Sequence, residues 1–351
     1  MIGVDQGLFL ELARRGQRFP IAADLTLHEQ AEPETARRDA AMLGRVIAES
    51  AKRWGCPLGL PLMDLRLEKA DLVSGLGMPE EEAEGFHFVE RPPDTLPERP
   101  FRPAQAAAIG AIRWIRAHTA LVPCGIAIGP FSLLTRLLAD PITPLALLAR
   151  GGDGREDPGI EVAQRVRKLA VATVERSVRA QLEAGAQVII ICEPSASTAY
   201  LSPRQMRAGG GLFEEFVLAP NRRLRDRIRA AGALLFFHNC GELTDSMVEA
   251  FGAELHPEVL SLGSSRDLAA DAALLPEDVV LYGNLPTRRF YSDSAMPVAE
   301  VVRLTVDLVA RMHATGHAHI PGSECDVLHV EGAAETIGVK LAAFMKAEPA
   351  A

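Results

Sequence analysis

The stretch Leu234-Leu-Phe-Phe-His-Asn-Cys-Gly-Glu242 joins a continuous apolar run to a polar loop that contains histidine, cysteine and glycine. A short apolar run followed by a glycine-containing loop is typical of a strand that is buried on both faces, as strands of parallel sheets are. The reactive side chains, an imidazole and a thiol, lie at the end of this predicted strand. The stretch therefore predicts a buried parallel strand with His238 and Cys240 at its carboxyl end.

The same pattern, an apolar run, a polar loop and then a segment of helical periodicity, recurs from about residue 120 onward. Apolar residues at three-to-four spacing predict helices over Val162–Ala184 and Val298–His313. Strands that alternate with helices indicate a parallel sheet covered on both faces. Six apolar runs show the pattern: Cys124–Ile128, Val188–Ile191, Leu234–Phe237, Val259–Leu262, Val279–Tyr282 and His317–Ile320.

Two more strands are expected upstream, a weak one near Pro20–Leu25 and a clearer one over Leu58–Met63. Eight such units would close a barrel. We therefore expect an α/β fold of the (β/α)8 TIM-barrel type. Residues 1–351 would form a single domain with an N-terminal extension and an acidic, Pro-rich insertion near residues 79–103.

The composition excludes several classes of function. The 351 residues are 48% hydrophobic and 24% charged, with a net charge of −9 and no basic run, which argues against nucleic acid as a partner. No apolar run approaches the roughly 18 residues of a membrane span, and we identify no signal peptide. Five scattered cysteines in a chain of this length fit a reducing compartment, so we expect a cytoplasmic protein.

Polar side chains follow four of the predicted strands at or near the point where each strand ends. Because the carboxyl ends of barrel strands share one face, and that face carries the chemistry, residues far apart in sequence are expected to converge there. These residues are Glu193, His238, Cys240, Asn284 and Cys325.

His238 and Cys240 are two positions apart at a strand end, so their side chains face the same side. Cys325 follows the last predicted strand and would reach them in a closed barrel. One imidazole and two thiolates suit zinc, and three protein ligands leave a fourth position open, as in catalytic zinc sites. The alternative is that these are ordinary buried cysteines, which are common. Cys56 and Cys124 are interpreted in that way, as core residues.

Four further polar residues are candidates for roles at the site. Glu193 would act as a proton-handling carboxylate or a fourth metal ligand, or else cap the helix that follows it. Asn284 would hydrogen-bond the substrate or a neighbouring loop, or else be a turn residue. Asp64 and Glu68 would line the mouth of the barrel, or else form a solvated pair that flanks Arg66.

Several motifs in the same order resemble the uroporphyrinogen decarboxylase-like superfamily, and specifically its zinc-dependent, corrinoid-dependent methyltransferase branch, which includes methylcobamide:coenzyme M methyltransferases. HNCGE at 238–242, YGNL at 282–285 and PGSECD at 321–326 carry the resemblance. MDLRLEKADLVSGLGM, IAIGPFSLLTRLL, ICEPSAS and FEEFVLAPNRRLRDRI are similar to the family's segments around the other strands. Together they cover most of the chain.

The resemblance implies a single (β/α)8 barrel with His238, Cys240 and Cys325 as zinc ligands. It implies transfer of a methyl group between a corrinoid and a small molecule, either a thiol acceptor or a methoxylated or methylated donor. The corrinoid (methylcobalamin) would arrive on a separate corrinoid protein, because the barrel uses nearly the whole chain. Barrels of this family often pair as homodimers.

Two departures from the family pattern stand out. The Arg-rich signature of uroporphyrinogen decarboxylases is absent around Arg14–Arg18, and Gly263 stands where related barrels place an acidic residue.

Two alternatives to the methyltransferase stay open. One is a uroporphyrinogen decarboxylase-type lyase that acts on a porphyrinogen without metal, and the other is a binding barrel that kept the ligands and lost turnover.

Overall fold

The computed structural model describes residues 7–155, 157–207 and 211–348. In these ranges seven strands alternate with helices. The strands are β1 (Leu58–Gly59), β2 (Val122–Ile128), β3 (Val188–Cys192), β4 (Leu234–Asn239), β5 (Val259–Leu262), β6 (Val280–Tyr282) and β7 (His319–Ile320). The α-helices are Leu8–Arg14, Ala23–His28, Pro33–Arg38, Ala40–Arg53, Leu67–Gly75, Pro103–His118, Pro130–Leu137, Ile142–Leu148, Pro158–Glu183, Pro203–Arg207, Ala219–Ala230, Asp245–Ala250, Leu268–Asp271, Val298–Thr315 and Ala334–Lys346. The 3-10 turns are Glu80–Glu82, Ala272–Leu274 and Thr287–Arg289, and π-helical turns occur at Glu214–Leu218 and Phe251–Leu255.

All seven strands belong to one parallel sheet in which each strand pairs with its neighbours in the chain, in the order β1 to β7. Each crossover between adjacent parallel strands contains at least one helix, as parallel pairing requires. The six apolar runs and the run at Leu58 therefore form strands as the sequence predicts. Among the described residues, no helix combines the length and apolar composition needed to cross a membrane.

The two faces of the sheet are buried in different cores. Along β3, Val188, Ile190 and Cys192 face an interior cluster, whereas Ile189 and Ile191 pack against the surrounding helices. The interior cluster also includes Leu58 of β1 and Ile320 of β7, the two edge strands. Side chains of the opposite edges can share one core only when the sheet curls round it. The apolar composition of both faces explains why these strands are continuous apolar runs.

The expected eighth strand near Pro20–Leu25 is not formed, so the described residues do not make the complete eight-stranded barrel predicted above. Ala23–His28 is an α-helix instead. The residues before it run beside the segment that follows β7, where the Phe19 N–H donates to the Pro321 carbonyl at 3.2 Å and the Val327 N–H donates to the Ile21 carbonyl at 2.8 Å. An apolar run this short does not distinguish a strand from a helix by its pattern alone.

The Pro-rich segment at 79–103 lies over the helices on one side of the sheet. The Phe88 N–H donates to the Leu137 carbonyl at 2.7 Å. Arg99 donates to the buried carboxylate of Asp71 at 2.9 Å, and Arg176 donates to the same carboxylate at 2.7 Å. These contacts fix the segment against the helices that follow β1 and β2.

Glu68 is a buried carboxylate on the helix Leu67–Gly75, with an exposed fraction of 1%. Ser177 Oγ donates to Glu68 Oε1 at 2.8 Å, and the Ile128 N–H lies 3.5 Å from Oε2. Burial disfavours the charged form and raises the pKa of Glu68 to about 7, although these hydrogen bonds oppose the shift. Glu68 thus links its helix to β2 and to the long helix Pro158–Glu183.

The raised pKa of Glu68 predicts a pH-dependent loss of stability. Its stabilising contribution is complete below the unfolded-state pKa of 4.5 and is lost as the pH rises through about 7. Between these two pH values the free energy of unfolding falls by an amount on the order of 3 kcal/mol. We expect Glu68→Gln to lack this change, so that the variant gains stability relative to the wild type between pH 5 and pH 8 in urea titrations. Equal pH dependence in both proteins would contradict the assignment.

Candidate metal centre

His238, Cys240 and Cys325 come together at the carboxyl ends of the strands. His238 is the second-last residue of β4, Cys240 follows that strand directly, and Cys325 lies in the loop after β7. Their ligand atoms all lie within 4.8 Å of one another. Two thiolates on one zinc ion are about 3.8 Å apart in tetrahedral geometry, so binding would require these side chains to close by about 1 Å at most.

The imidazole of His238 has a free nitrogen. Its Nδ1 lies 2.9 Å from Ser261 Oγ, whereas Nε2 is buried and has no hydrogen-bond partner among the described residues. A buried polar atom without a partner is costly, and such atoms are rare. A metal at Nε2, with the Nδ1 proton donated to Ser261, would satisfy both ring nitrogens in the usual arrangement of a metal-bound histidine. The donor set therefore fits zinc.

The two thiols interact with each other and with a guanidinium. Hydrogen bonding with Cys240 lowers the pKa of Cys325 far below the ordinary thiol range, although burial opposes this, while the pKa of Cys240 is raised because it keeps the shared proton. An Nη atom of Arg288 lies 3.3 Å from Cys240 Sγ. A cation beside two thiols favours their thiolate forms, which are the forms that bind metal.

Glu324 holds the loops around the centre in place. Its Oε2 accepts a hydrogen bond from Ser264 Oγ at 2.5 Å, and its Oε1 accepts from the Arg288 N–H at 3.2 Å. Glu324 directly precedes Cys325 and is nearly fully buried. It therefore ties the Cys325 loop to the loop after β5 and to the 3-10 turn that carries Arg288.

A cavity of about 1020 Å³ lies beside the centre, and Cys325 is the candidate ligand that lines it. Arg288, Met63 and Asp64 also line it, and the sulfur of Met63 lies 3.8 Å from Cys325 Sγ. Asp64 accepts hydrogen bonds from Arg66 at 2.8 Å. Burial raises the pKa of Asp64, but these bonds together with the charges of Arg66 and Arg37 outweigh burial and lower the pKa overall. The structure thus brings Asp64 to the same cavity as Cys325.

Glu193 is not brought together with the three candidate ligands. Its carboxylate turns toward the helix Pro130–Leu137, where Oε1 accepts from the Phe131 N–H at 3.0 Å and Oε2 accepts from the Ser132 N–H at 2.8 Å. The Asn221 side chain donates to Oε1 at 3.0 Å. Burial raises the pKa of Glu193, partly offset by these hydrogen bonds. The geometry is that of a helix cap, on the helix that precedes Glu193 in the chain.

Asn284 contacts the neighbouring loop. Its side-chain amide donates to the carbonyls of Gly263 and Arg266 at 2.8 and 2.9 Å. At Gly263, where the family pattern suggests an acidic residue, a Cβ atom would lie 2.9 Å from the carbonyl oxygen of Cys240 and 3.0 Å from its Cα. The backbone of a candidate ligand occupies the space that a side chain would need.

Ser261, Arg288 and Glu324 were not identified from the sequence as parts of the site. Ser261 had a detectable signal, because it is a lone hydroxyl in the otherwise apolar run Val259–Leu262. It pairs in register with His238 across β4 and β5. Arg288 and Glu324 lie in loops whose paths depend on the whole fold.

Comparisons with known proteins agree with this architecture. The sequence profile of the family described as Uroporphyrinogen decarboxylase (URO-D) matches residues 89–331, a range that includes β2 to β7 and the three candidate ligands. Among solved structures, a methyltransferase from Methanosarcina mazei is similar over 97% of this chain and 98% of that one, with a TM-score of 0.65 and 14% sequence identity. At that identity the likeness shows the fold. No curated protein matches the chain by sequence.

The contacts of Glu193 predict that its removal affects stability and leaves metal binding intact. Glutamine keeps the shape but has only one acceptor oxygen, so one of the two backbone N–H groups on the helix loses its partner. We expect Glu193→Gln to lower the free energy of unfolding by about 1–3 kcal/mol in urea titrations, with the metal content unchanged.

Glu214→Gln is a suitable control, because Glu214 is a partly exposed glutamate whose partner Arg222 is at the surface. It should change the free energy of unfolding by less than about 1 kcal/mol. If Glu193→Gln instead abolished metal binding at unchanged stability, Glu193 would be a ligand and the cap assignment would be wrong.

Proposed function

Because this chain belongs to the uroporphyrinogen decarboxylase family, we propose that it is a zinc-dependent methyltransferase that moves a methyl group between a corrinoid protein and a small substrate. The observation that carries the proposal is the cluster of His238, Cys240 and Cys325, in which Nε2 of His238 is unpartnered and Cys325 lies on the wall of a large cavity. The similarity in fold to a methyltransferase along nearly the whole chain supports it.

In this proposal His238, Cys240 and Cys325 hold the zinc ion. Bound zinc would keep a substrate thiol as a nucleophilic thiolate or, in the other direction, polarise the oxygen of a methyl ether. Transfer to a thiol would form a carbon–sulfur bond, break the carbon–cobalt bond of the corrinoid with both electrons left on cobalt, and release the thiol proton to solvent. The cavity beside Cys325 gives a small substrate room to approach.

The surrounding residues prepare the site for this reaction. Ser261 orients the imidazole so that Nε2 faces the ligand cluster, and Arg288 donates to the sulfur of Cys240. Asp64 would contact the substrate from the cavity wall, while Asn284 and Glu193 position the loops through the contacts described above.

A separate corrinoid protein would dock where the cavity opens. Tyr291, Leu328 and Val330 line the cavity and are partly exposed, with exposed fractions of 49%, 59% and 41%. Large apolar side chains that gather at one exposed rim are typical of a protein-binding surface. A corrinoid bound to its carrier would reach the centre through this opening.

The first test is the metal content. We expect about one zinc ion per chain in the purified protein, measured by inductively coupled plasma mass spectrometry, because three ligands of this chemistry suffice for a catalytic zinc site. His238→Ala, Cys240→Ala and Cys325→Ala should each lose the metal.

Cys124→Ala is the matched control, because Cys124 is also a free cysteine but is buried in the interior cluster. It should retain the zinc. Wild-type protein that binds no zinc even after reconstitution would refute the mechanism.

The second test is methyl transfer in both directions. We expect the zinc-loaded protein to demethylate methylcobalamin with a thiol acceptor, or to methylate reduced cobalamin from a methoxylated donor. Cys325→Ala should lower the rate by about a hundredfold or more, because the metal that activates the substrate is lost. Absorbance of the cobalamin reports the reaction.

A uroporphyrinogen decarboxylase assay distinguishes the competing function. A lyase without metal would consume uroporphyrinogen and be unaffected by chelators. That result, together with cobalamin spectra that do not change, would replace the methyltransferase assignment.

A further inference from the structure

We propose that Arg288 protects the sulfur of Cys240 from methylation, so that the methyl group goes to the sulfur of the substrate and not to a metal ligand. The inference rests on the proposed function, because it concerns the direction of transfer in which a thiol accepts the methyl group. In this role Arg288 determines which sulfur reacts. It acts through Cys240 and needs no contact with the substrate.

The proposed reaction needs such a selection between sulfur atoms. Cys240, Cys325 and the substrate thiol would each bring a thiolate to one metal, and the thiolate is the nucleophilic form of sulfur. Attack by Cys240 would form a carbon–sulfur bond, break the carbon–cobalt bond with both electrons left on cobalt, and leave S-methylcysteine. A thioether is not among the usual ligands of zinc, so this side reaction would end turnover.

Arg288 donates a hydrogen bond to the sulfur that must not react. One of its Nη atoms lies 3.3 Å from Cys240 Sγ, and the guanidinium also interacts with Cys325. Hydrogen bonds from a charged donor are roughly twice as strong as those from a neutral one. Withdrawal of electron density from a thiolate makes it less basic, and less basic thiolates are weaker nucleophiles. The contact therefore makes Cys240 less reactive than a thiolate without such a donor.

The charge of Arg288 is available to the sulfur because no carboxylate neutralises it. In the part of the chain that the structure describes, no carboxylate oxygen lies within ion-pair distance of this guanidinium. Arg66 and Arg37 line the same cavity but pair with Asp64, at 2.8 and 3.3 Å. Glu324 accepts from the backbone N–H of Arg288 at 3.2 Å, so it fixes the turn and leaves the side chain to the sulfur.

Hydrogen bonds hold the 3-10 turn Thr287–Arg289 on both sides, and this keeps the donor in place. Before the turn, the Leu285 carbonyl accepts from the Glu324 N–H at 2.8 Å, which joins it to the loop after β7. After the turn, the fully buried Lys340 donates from Nζ to the Phe290 carbonyl at 3.0 Å. The guanidinium therefore extends from a backbone that is fixed relative to the two cysteines.

The test measures how fast Cys240 reacts with an electrophile in the zinc-loaded protein, without any substrate thiol. The probe is iodoacetamide, whose carbon forms a bond to sulfur as iodide leaves. Peptide mass spectrometry gives the modified fraction of Cys240, and the zinc content of each protein is measured before the reaction. We expect Arg288→Met to raise the rate at Cys240 about tenfold at unchanged zinc content, because methionine has no hydrogen-bond donor.

Arg288→Lys separates the hydrogen bond from the charge. The ammonium group keeps the charge but ends one atom short of the Nη position, so the direct contact with Cys240 is lost. We expect this variant to react about threefold or more faster than the wild type.

Two controls exclude general effects of the substitutions. Arg289→Met changes the exposed neighbour in the same turn, whose side chain donates to the Ala295 carbonyl at 2.6 Å, and it should react at the wild-type rate. Cys56 is a buried free cysteine away from the cluster, and it should stay unmodified in every variant. Modification of Cys56 together with Cys240 would indicate a loosened fold and would overturn the proposal.

A wild-type rate at Cys240 in zinc-loaded Arg288→Met overturns the proposal and leaves the zinc methyltransferase standing. If Arg288→Met does not keep its zinc, Arg288→Lys decides in the same way. Loss of zinc from both variants also overturns the proposal, because Arg288 would then be needed to hold the metal and not to protect its ligand. A wild-type protein that binds no zinc refutes the proposed function, and this inference with it.

Discussion

His238 and Ser261 lie opposite each other on β4 and β5, and the hydrogen bond between their side chains determines which nitrogen of the imidazole is left free for a ligand. The position of this pair depends on the parallel register of the sheet, in which Cys192 of β3 is paired with His238 in turn. A shift of one residue in either strand would turn the histidine toward the outer helices. The candidate centre therefore depends on the same register that builds the apolar core.

The loops at the site are held by buried hydrogen bonds. Glu324 joins the Cys325 loop to Ser264 and to the backbone of Arg288. Asn284 donates a hydrogen bond to the Gly263 carbonyl in the loop after β5, and Glu193 fixes the start of the helix that follows β2. Polar groups buried in this way rigidify a structure when each finds its partners. The unpartnered Nε2 of His238 is an exception at the centre of this network, which is where a ligand would be needed.

Much of the fold and the three candidate ligands could be predicted from the sequence, for a physical reason. Strands buried on both faces must be apolar along their whole length, so β2 to β5 are visible as uninterrupted runs. Because parallel strands end at one face, the location of His238, Cys240 and Cys325 at strand ends was enough to predict that they meet. Both signals, the apolar runs and the polar residues at strand ends, are local features of the amino-acid sequence.

The features that sequence reasoning missed depend on contacts between distant segments. The carboxylate of Glu193 caps a helix whose first residues lie about 60 positions earlier in the chain. The pairing of Ser261 with His238 requires knowledge of the register, and the reach of Arg288 depends on the 3-10 turn Thr287–Arg289. The short run at Pro20–Leu25 was assigned to a strand, but half of it begins a helix.

The close approach of Gly263 to the backbone of Cys240 restricts how this site can change. A carboxylate placed at position 263 by a single substitution would push the thiolate-bearing segment out of position before it could contribute any new contact. The loop after β4 would have to move first, and the carboxylate could be added only afterwards. The order of the steps is therefore set by steric hindrance, and a protein engineer who wants a fourth protein ligand here should redesign the backbone of the HNC segment before changing the glycine.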